Sequence, residues 1–513
     1  MPSPWCATAT RCSSGCDTLG EMNHSERLSA QDSSFVLWER RETPMHVGAV
    51  AILEAEPLGS ADGGIDAARI TRHVESRLHL LPRYRQRLAF TPLEGHPVWV
   101  DDAHFDLGYH VRRTALPRPG TDGELKALVA RILSQRLDRA KPLWEMWIVE
   151  GLEGGRFALV TKVHHCMVDG VSGMNLITLL LSRSPEEPPV VAPAWTPAPE
   201  PTPFDLLVSE SARRARSGGA LARGVLAAVR DPAATWSRLR GAGSAIAQAL
   251  DAGLRTPGAT RLNRPIGPHR RVEWLSVDLA SAKQVKNRLG GTLNDVVLAT
   301  VCGALHRFLG KRHEWRTRLD YRIVVPVNLR SPGDEPTGGN RVSAYFLSLP
   351  IAEANPLRRY DAIQTSTACL KSSRAAEGIE LLTQLADRVG GTWLTRLGGL
   401  VIDRLRPYNL IVTNVPGPPF PLYILGARLL ELIPMLPLFE QQGLGVAVLS
   451  YCGRLEFGLI GDRELAPDLG SLSGALVASF AELETLARSR PGKRPLRRKA
   501  GKPPREGALR ALQ

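Results

Sequence analysis

The sequence lacks any run of roughly 18 uninterrupted apolar residues, the length that crosses a membrane as a helix. Its first twenty residues also lack the basic start and apolar block of a secretory signal. The seven cysteines, three of them at positions 6, 12 and 16 of a polar leader, do not form a disulfide framework. These absences argue against a membrane-spanning protein and a disulfide-stapled secreted domain, and they predict a cytoplasmic location.

The net charge of +14 is unevenly distributed along the chain. From Arg488 onward there are ten Lys or Arg and one acid, so most of the basic character belongs to a tail. This tail is rich in proline and has no apolar period, which predicts disorder. Its charge suits a solubilising end or attraction to an anionic membrane, worth about 1 kcal/mol per basic residue near the lipid. Nucleic-acid binding is disfavoured because no aromatic residues interleave with the charges.

The 513 residues predict an α/β (α+β) protein of two domains, because a single core rarely grows so large. Residues 184–206 carry eight prolines and are predicted to form an extended connector. Residues 207–260 have basic, amphipathic helical spacing, which fits either helices packed on the body or an interfacial helix on lipid. The remaining predicted segments are a disordered leader (1–27), an N-terminal α/β domain (28–183), a C-terminal α/β domain (261–487) and the disordered tail (488–513).

The segment "TKVHHCMVDGVSGMN", residues 161–175, places two histidines side by side near the end of a predicted strand. Successive side chains of a strand point to opposite faces, so only one of His164 and His165 can face a given cavity. Metal binding by the adjacent pair is therefore disfavoured, since ligands must converge on the ion. No other cluster of His or Cys supplies the missing ligands.

A single imidazole, with an ordinary pKa of about 6.5, suits a general base that takes a proton from an alcohol or thiol. Asp169 could orient that ring or pair with an arginine elsewhere, and Gly170 lets the chain turn. Cys166 is a weaker alternative as a covalent nucleophile, because adjacent side chains on extended backbone diverge. The spacing alone leaves a structural role for the histidine pair open.

The motif "HHCMVDG" fits the HHxxxDG signature of CoA-dependent acyltransferases, which condensation domains share. Further segments occur in a fixed order along residues 28 to 468, and as a set they resemble the bacterial wax ester synthase/acyl-CoA:diacylglycerol acyltransferase family. They include "LSAQDSSFVLWERRETPMHVGAV", "KPLWEMWIVEGL", "GGTLNDVVLATVCGALHRFL" and "TNVPGPPFPLYILGARLLEL".

The resemblance implies the two-domain CoA-dependent acyltransferase fold, with mixed sheets flanked by helices and an active-site tunnel where the domains meet. It assigns His165 as the proton acceptor, with His164 and Asp169 in supporting catalytic roles. It further implies that acyl-CoA is the cosubstrate, that diacylglycerol or a long-chain alcohol is the acceptor, and that no metal or other cofactor is needed. Because such acceptors are nearly insoluble in water, a membrane or lipid-droplet surface is the expected place of work.

Substrate contacts are expected from Gly170, from Asn294 and Asp295 of the "LND" segment, and from Asn414 of "NVPGPP". Asn and Asp in the first turn of a helix also satisfy free N–H groups, so a structural role is an alternative for that pair. Residues 142–144, "PLW", match a family segment linked with acyl-chain selection, although packing explains them equally. A condensation-type acyltransferase and a catalytically weak lipid-surface protein are the competing functions.

Overall fold

The computed structural model of the chain describes residues 25–61, 63–167, 179–186, 190–232, 256–314, 319–328, 342–372 and 407–489, with isolated positions 236, 240, 241, 243, 244, 248, 378 and 392. In these residues the α-helices, in chain order, are α1 Ala30–Trp38, α2 Ala67–Glu75, α3 Leu107–His110, α4 Asp122–Ser134, α5 Pro203–Arg230, α6 Leu279–Leu289, α7 Leu293–Lys311, α8 Pro356–Ser372 and α9 Leu469–Ser489. The strands are β1 Glu26–Arg27, β2 His46–Glu54, β3 Gln86–Phe90, β4 Pro97–Asp101, β5 Val111–Ala115, β6 Trp144–Leu152, β7 Arg156–His164, β8 Arg270–Asp278, β9 Tyr321–Asn328, β10 Val342–Leu349, β11 Leu410–Pro416, β12 Tyr423–Ile424, β13 Ala427–Met435, β14 Leu444–Tyr451 and β15 Arg454–Asp462.

A six-stranded sheet in the order β12-β13-β2-β7-β6-β5 carries the histidine pair at the end of β7. The sequence predicts β2, and it predicts β6 and β7 as two strands joined by a glycine-rich hairpin; the structure confirms all three. Their residues are mostly apolar and pack in two separate clusters, as in a sheet that is covered on both faces. Helix α2 is shorter than its amphipathic pattern predicts, because the chain tightens into a 3-10 turn at Leu78–Leu80 and then meets Pro82.

A second six-stranded sheet, in the order β10-β9-β11-β14-β15-β8, is covered on one face by α6, α7, α8 and α9. The strands expected from the sequence at β8, β9, β10, β11 and β15 are all present. Strand β14, and β13 of the first sheet, are additional to the strands predicted from the sequence. The result is the mixed α/β class expected, with sheets flanked by helices.

Strands β12 and β13 lie between two strands of the second sheet in the sequence, yet they pair within the first sheet and complete it. Strand β13 pairs antiparallel with β2, where Met435 lies opposite Gly48 and Ile433 opposite Val50. The approach of β13 to the second sheet is so close that a Cβ on Gly458 would lie 1.8 Å from the carbonyl oxygen of Pro434. The first sheet is therefore built from both halves of the chain, which ties them together through continuous backbone pairing.

A small sheet, β1-β4-β3, packs between the histidine motif and α5. Leu88 and Trp99 of this sheet pack in one apolar cluster with Cys166. Val98 and Val100 pack in another cluster with Leu206 of α5. Because neighbouring residues of a strand point to opposite faces, the sheet forms a wall with the motif on one side and α5 on the other.

The structure differs from the sequence expectations at three segment boundaries. The predicted leader includes Glu26 and Arg27, yet these residues form β1 and pair with β4. Helix α5 begins at Pro203, inside the predicted connector, and proline is well suited to a first helical position. Helix α9 continues to Ser489, inside the predicted tail. Within the described residues, no helix is both long and apolar enough to span a bilayer.

Candidate active site at the histidine pair

The two histidines lie at the point where β7 gives way to a 3-10 turn over His165–Met167. The backbone N–H of His164 donates to the Leu143 carbonyl at 2.9 Å, and that of His165 donates to the Met45 carbonyl at 2.8 Å. The His164 side chain is only 1% exposed, whereas that of His165 is partly exposed. The two rings therefore have different surroundings, as strand alternation predicts.

Hydrogen bonds fix the protonation of the His164 ring. The backbone N–H of Cys166 donates to its Nδ1 at 3.2 Å, and the Cys166 thiol lies 3.0 Å from the same atom. Since Nδ1 accepts, the neutral ring carries its proton on Nε2, which lies 3.7 Å from Oε1 of Glu39. Burial lowers the pKa of His164 to about 4, although Glu39 opposes this shift. The His164 ring is therefore neutral at pH 7.

Glu39 is a buried carboxylate at the centre of the contacts behind His164. Its Oε2 accepts from Arg136 at 3.0 Å and from Arg139 at 2.7 Å, while its Oε1 accepts from the backbone N–H of Met45 at 3.2 Å. Burial raises the pKa of this carboxyl, but interaction with His164 and the two guanidiniums outweighs burial and holds the pKa below its ordinary value. Glu39 is therefore ionised at neutral pH, as a buried carboxylate with two cationic partners should be.

The His165 ring stacks on Phe35 of α1, with ring centroids 3.9 Å apart and planes inclined by 18°. Its Nδ1 is buried while the residue as a whole is partly exposed, so Nε2 is the candidate ring nitrogen for contact with a substrate. Burial lowers the pKa of His165 to about 4, and its own backbone carbonyl opposes part of that shift. The ring is therefore uncharged at neutral pH and can accept a proton.

Cys166 lies beside the pair but has little nucleophilic character. Its side chain is buried, and burial raises the pKa of the thiol well above the ordinary value. A buried thiol in apolar surroundings is inert because the thiolate is the reactive form. The geometry thus favours a structural role for Cys166, in which its N–H and thiol hold the His164 ring.

Asn294 and Asn414 lie together, because the Asn414 side-chain amide donates to the Asn294 side-chain oxygen at 3.3 Å. Asp295 forms a capping box with Thr292 at the start of α7 and accepts from Thr367 at 2.7 Å. Both carboxylate oxygens of Asp295 are thus used within the protein, and the residue is 3% exposed. Among the described residues, no hydrogen bond joins this group to His164 or His165. The local contacts give Asp295 a capping role and leave Asn294 and Asn414 partly exposed.

Asp169 and Gly170, two further residues singled out from the sequence, lie outside the described residues. Trp144 of the "PLW" segment is fully buried, stacks on His110 with centroids 4.7 Å apart, and donates its indole N–H to the Tyr84 carbonyl at 2.8 Å. These contacts are those of a packing residue. Within the described residues, no group of three His, Cys, Asp or Glu side chains is placed to hold a metal ion.

Sequence reasoning missed the residues that surround the histidine pair. Glu39 and Phe35 precede the motif by more than 120 positions, and Arg139 precedes it by about 25. No local spacing connects these positions, because they meet only in the folded chain, where Glu39 binds Arg139 and Phe35 stacks on His165. The one available signal was that "SSFVLWERRETPMHVG" belongs to the family-like segments, which marked the region without assigning a role.

Comparison with known proteins shows the family to which the chain belongs. The chain matches the family model of the wax ester synthase/diacylglycerol acyltransferase catalytic domain over residues 28–297, and that of the C-terminal domain of the same family over residues 338–484. A protein of Mycobacterium tuberculosis named probable diacylglycerol O-acyltransferase is 34% identical over 475 residues, which cover 91% of this chain and 97% of that protein.

Two solved structures extend the comparison. The wax ester synthase/diacylglycerol acyltransferase of Marinobacter aquaeolei VT8 superposes with a TM-score of 0.63 at 29% identity, covering 90% of this chain and all of that chain. The starter condensation domain of rhizomide synthetase, in complex with C8-CoA, superposes with a TM-score of 0.55 at 14% identity, covering 92% of this chain and 97% of that chain. The second likeness shows the shared fold alone. The chain therefore belongs to the wax ester synthase/diacylglycerol acyltransferase family and is an acyltransferase of that fold.

Proposed function

We propose that this acyltransferase moves a fatty acyl group from acyl-CoA to the hydroxyl of a diacylglycerol or a long-chain alcohol, making triacylglycerol or wax ester. The observation that carries the proposal is His165, an uncharged and partly exposed imidazole in the HHxxxDG motif. A neutral imidazole that can accept a proton is what an attacking hydroxyl requires. The names of the M. tuberculosis and Marinobacter relatives support the same chemistry.

In the proposed reaction, Nε2 of His165 takes the hydroxyl proton while the oxygen attacks the thioester carbonyl carbon. The tetrahedral intermediate collapses, the C–S bond breaks, and the ester is released. The CoA sulfur leaves as thiolate and recovers the proton from His165, which returns to its neutral form. Acyl-CoA is consumed as cosubstrate, no oxidation occurs, and the steps use no metal or other cofactor. Orientation of both substrates in a water-poor tunnel between the two halves would supply much of the rate.

The other predicted site residues have supporting roles in this proposal. His164 is held by the N–H and thiol of Cys166, lies beside Glu39, and fixes the strand end from which His165 projects. The supporting roles of Asp169 and Gly170 stay predictions, because both residues lie outside the described part of the chain. Asp295 caps α7 and thereby presents Asn294, which with Asn414 borders the substrate channel.

A surface for lipid contact follows from the first turns of α5. Leu206 is buried against β4, so Phe204 and Val208, each two residues away and about 200° around the helix, project outward. They are 71% and 50% exposed, and they lie on one face as an i, i+4 pair. Glu210, one turn after Leu206, binds Arg27 at 2.6 Å and anchors the helix to the rest of the protein. We propose that this cytoplasmic enzyme works peripherally on a membrane or lipid-droplet surface, with Phe204 and Val208 inserting.

The double variant Phe204→Ser/Val208→Ser should bind vesicles at least about tenfold more weakly, because two exposed apolar side chains no longer enter the lipid. Co-sedimentation of the full chain with phosphatidylcholine vesicles measures this. Val477→Ser is the matched control, since Val477 is equally exposed but lies on α9. Equal binding by the wild type and the double variant would show that this face of α5 does not insert into lipid.

The acceptor is tested by supplying purified protein with palmitoyl-CoA and either hexadecanol or a diacylglycerol. We expect CoA release that depends on the acceptor and is matched by formation of a neutral ester. Ester formed with one acceptor and not the other would name the enzyme as a wax ester or a triacylglycerol synthase. Release of CoA with neither acceptor, but with an amine, would favour condensation-type chemistry instead.

A further inference from the structure

Arg139 makes one hydrogen bond to α1 and two to Glu39, the residue that directly follows the helix. Its Nε and Nη2 atoms donate to Oε2 of Glu39 at 3.0 and 2.7 Å, and Nη2 also donates to the Val36 carbonyl at 2.7 Å. Val36 lies in the last turn of α1, where carbonyl groups have no partner within the helix. A planar guanidinium can bind a carbonyl and a carboxylate at once, which an ammonium cannot do with the same geometry. Arg139 thus fastens the C-terminal end of α1 to the segment that precedes β6.

One branch of these contacts reaches the face of the His165 ring. Phe35, which stacks on that ring, directly precedes Val36 in α1. A shift of the helix end would carry Phe35 with it, because the two residues share one helical turn. The position of Phe35 against the imidazole therefore depends on the bond from Arg139 to the Val36 carbonyl.

The second branch reaches the backbone of His165. Glu39, held by Arg139, accepts the N–H of Met45 at 3.2 Å, and the Met45 carbonyl accepts the N–H of His165 at 2.8 Å. The Glu39 side chain is 1% exposed, and it accepts hydrogen bonds from Arg139, Arg136 and the Met45 N–H. The His165 ring therefore contacts α1 through Phe35, and the His165 backbone is linked to Glu39 through Met45. Arg139 binds both α1 and Glu39.

We propose that Arg139 is a positioning residue for acyl transfer, holding α1 and Glu39 so that the His165 imidazole keeps its orientation. The inference rests on the proposed function for its effect on rate, but its effect on the ring is a separate structural claim. Arg136 provides the matched comparison. It also binds Oε2 of Glu39, at 3.0 Å, yet through that one bond alone among its described contacts and with none to α1. Both arginines supply charge, and only Arg139 also holds the helix.

The test compares Arg139→Ala, Arg139→Lys and Arg136→Ala with the wild type in full-length protein. Histidines labelled with ¹³C at Cε1 give one NMR signal per ring, and the signal missing from His165→Ala identifies His165. Thermal unfolding shows which variants are folded. Arg139→Lys keeps the positive charge but cannot bind Glu39 and the Val36 carbonyl with the same geometry. It therefore tests the positioning role of Arg139 even if Arg139→Ala does not fold.

We expect the His165 signal to move in both Arg139 variants, because the ring current of Phe35 changes, and to stay in place in Arg136→Ala. In Arg139→Ala the kcat should fall about tenfold or more while the KM for palmitoyl-CoA changes less than about twofold. Added methylguanidinium should restore part of that kcat, since the Arg139 side chain is 32% exposed and its site is reachable.

An unmoved His165 signal in the folded Arg139 variants, or an equal movement in Arg136→Ala, would overturn the proposal. If the wild type itself releases no CoA, the proposed function fails, and the NMR comparison still decides the role of Arg139.

Discussion

His165→Ala is expected to lower kcat for acceptor-dependent CoA release by about 10²- to 10⁴-fold, the usual contribution of a positioned general base. The variant removes the ring nitrogen proposed to take the hydroxyl proton, and Glu39, His164 and Cys166 are expected to stay in place. Because His165 is partly exposed and its ring makes a stacking contact with Phe35, the free energy of unfolding should fall by only about 1 kcal/mol. A continuous thiol assay of CoA release measures the rate, and urea denaturation measures the stability.

His104→Ala is the control for this variant, since His104 is an exposed histidine outside the motif. It should keep the wild-type rate and stability. Should His165→Ala keep the wild-type rate, the imidazole is not the base, and the proposed mechanism is wrong. A loss of rate accompanied by unfolding would instead give His165 a structural role.

The second large effect is a loss of stability in acid. His96 and His164 are buried, and burial lowers the pKa of each from an ordinary 6.5 to about 4. Between pH 6.5 and pH 4 each ring is protonated in the unfolded chain but stays neutral in the folded chain. The stability contributed by each neutral ring is therefore complete above pH 6.5 and is lost as the pH falls toward 4. A shift of this size corresponds to about 3 kcal/mol per group. His46, with its pKa held well below 6.5 by burial and Lys162, acts in the same direction.

Glu456 acts in the opposite direction and supplies a control. Its side chain is buried between the two sheets, and burial with the nearby Glu431 raises its pKa to about 7. The proton on Glu456 stabilises the fold below pH 4.5, and that contribution is lost as the pH rises toward 7. Urea denaturation should therefore show a free energy of unfolding several kcal/mol lower at pH 4.5 than at pH 7, with a steeper fall in Glu456→Gln. A stability that is constant or rises on acidification would show that these histidines are not held neutral.

The parts of the fold that follow from local pattern were predictable from the sequence. β-Branched residues identified β2, β7 and β8, and Asn294 and Asp295 ahead of an apolar helical run located the start of α7. The transfer of β13 to the first sheet was not predictable in this way. Its residues read as a strand in either sheet, and only the pairing with β2 decides between them.

The site divides in the same manner. Strand alternation predicted that His164 and His165 face different surroundings, and the family resemblance selected His165 as the base. Both arguments use only residues that are close together in the sequence. Glu39 could not be recognised, since its ionised state depends on Arg136 and Arg139, about 100 positions away. An acid followed by two arginines in "LWERRE" looks like a solvated surface until the fold buries it.

The central claim is that the acyl group passes directly from CoA to the acceptor oxygen, with His165 as the base. Rapid-quench measurement with labelled palmitoyl-CoA, followed by intact-mass analysis of the protein, tests it most directly. We predict that CoA and ester appear in equal amounts from the first turnover when acceptor is present, and that the protein carries no acyl group when acceptor is withheld. A burst of one CoA per enzyme without acceptor, leaving the acyl chain on Cys166 or another side chain, would contradict the claim.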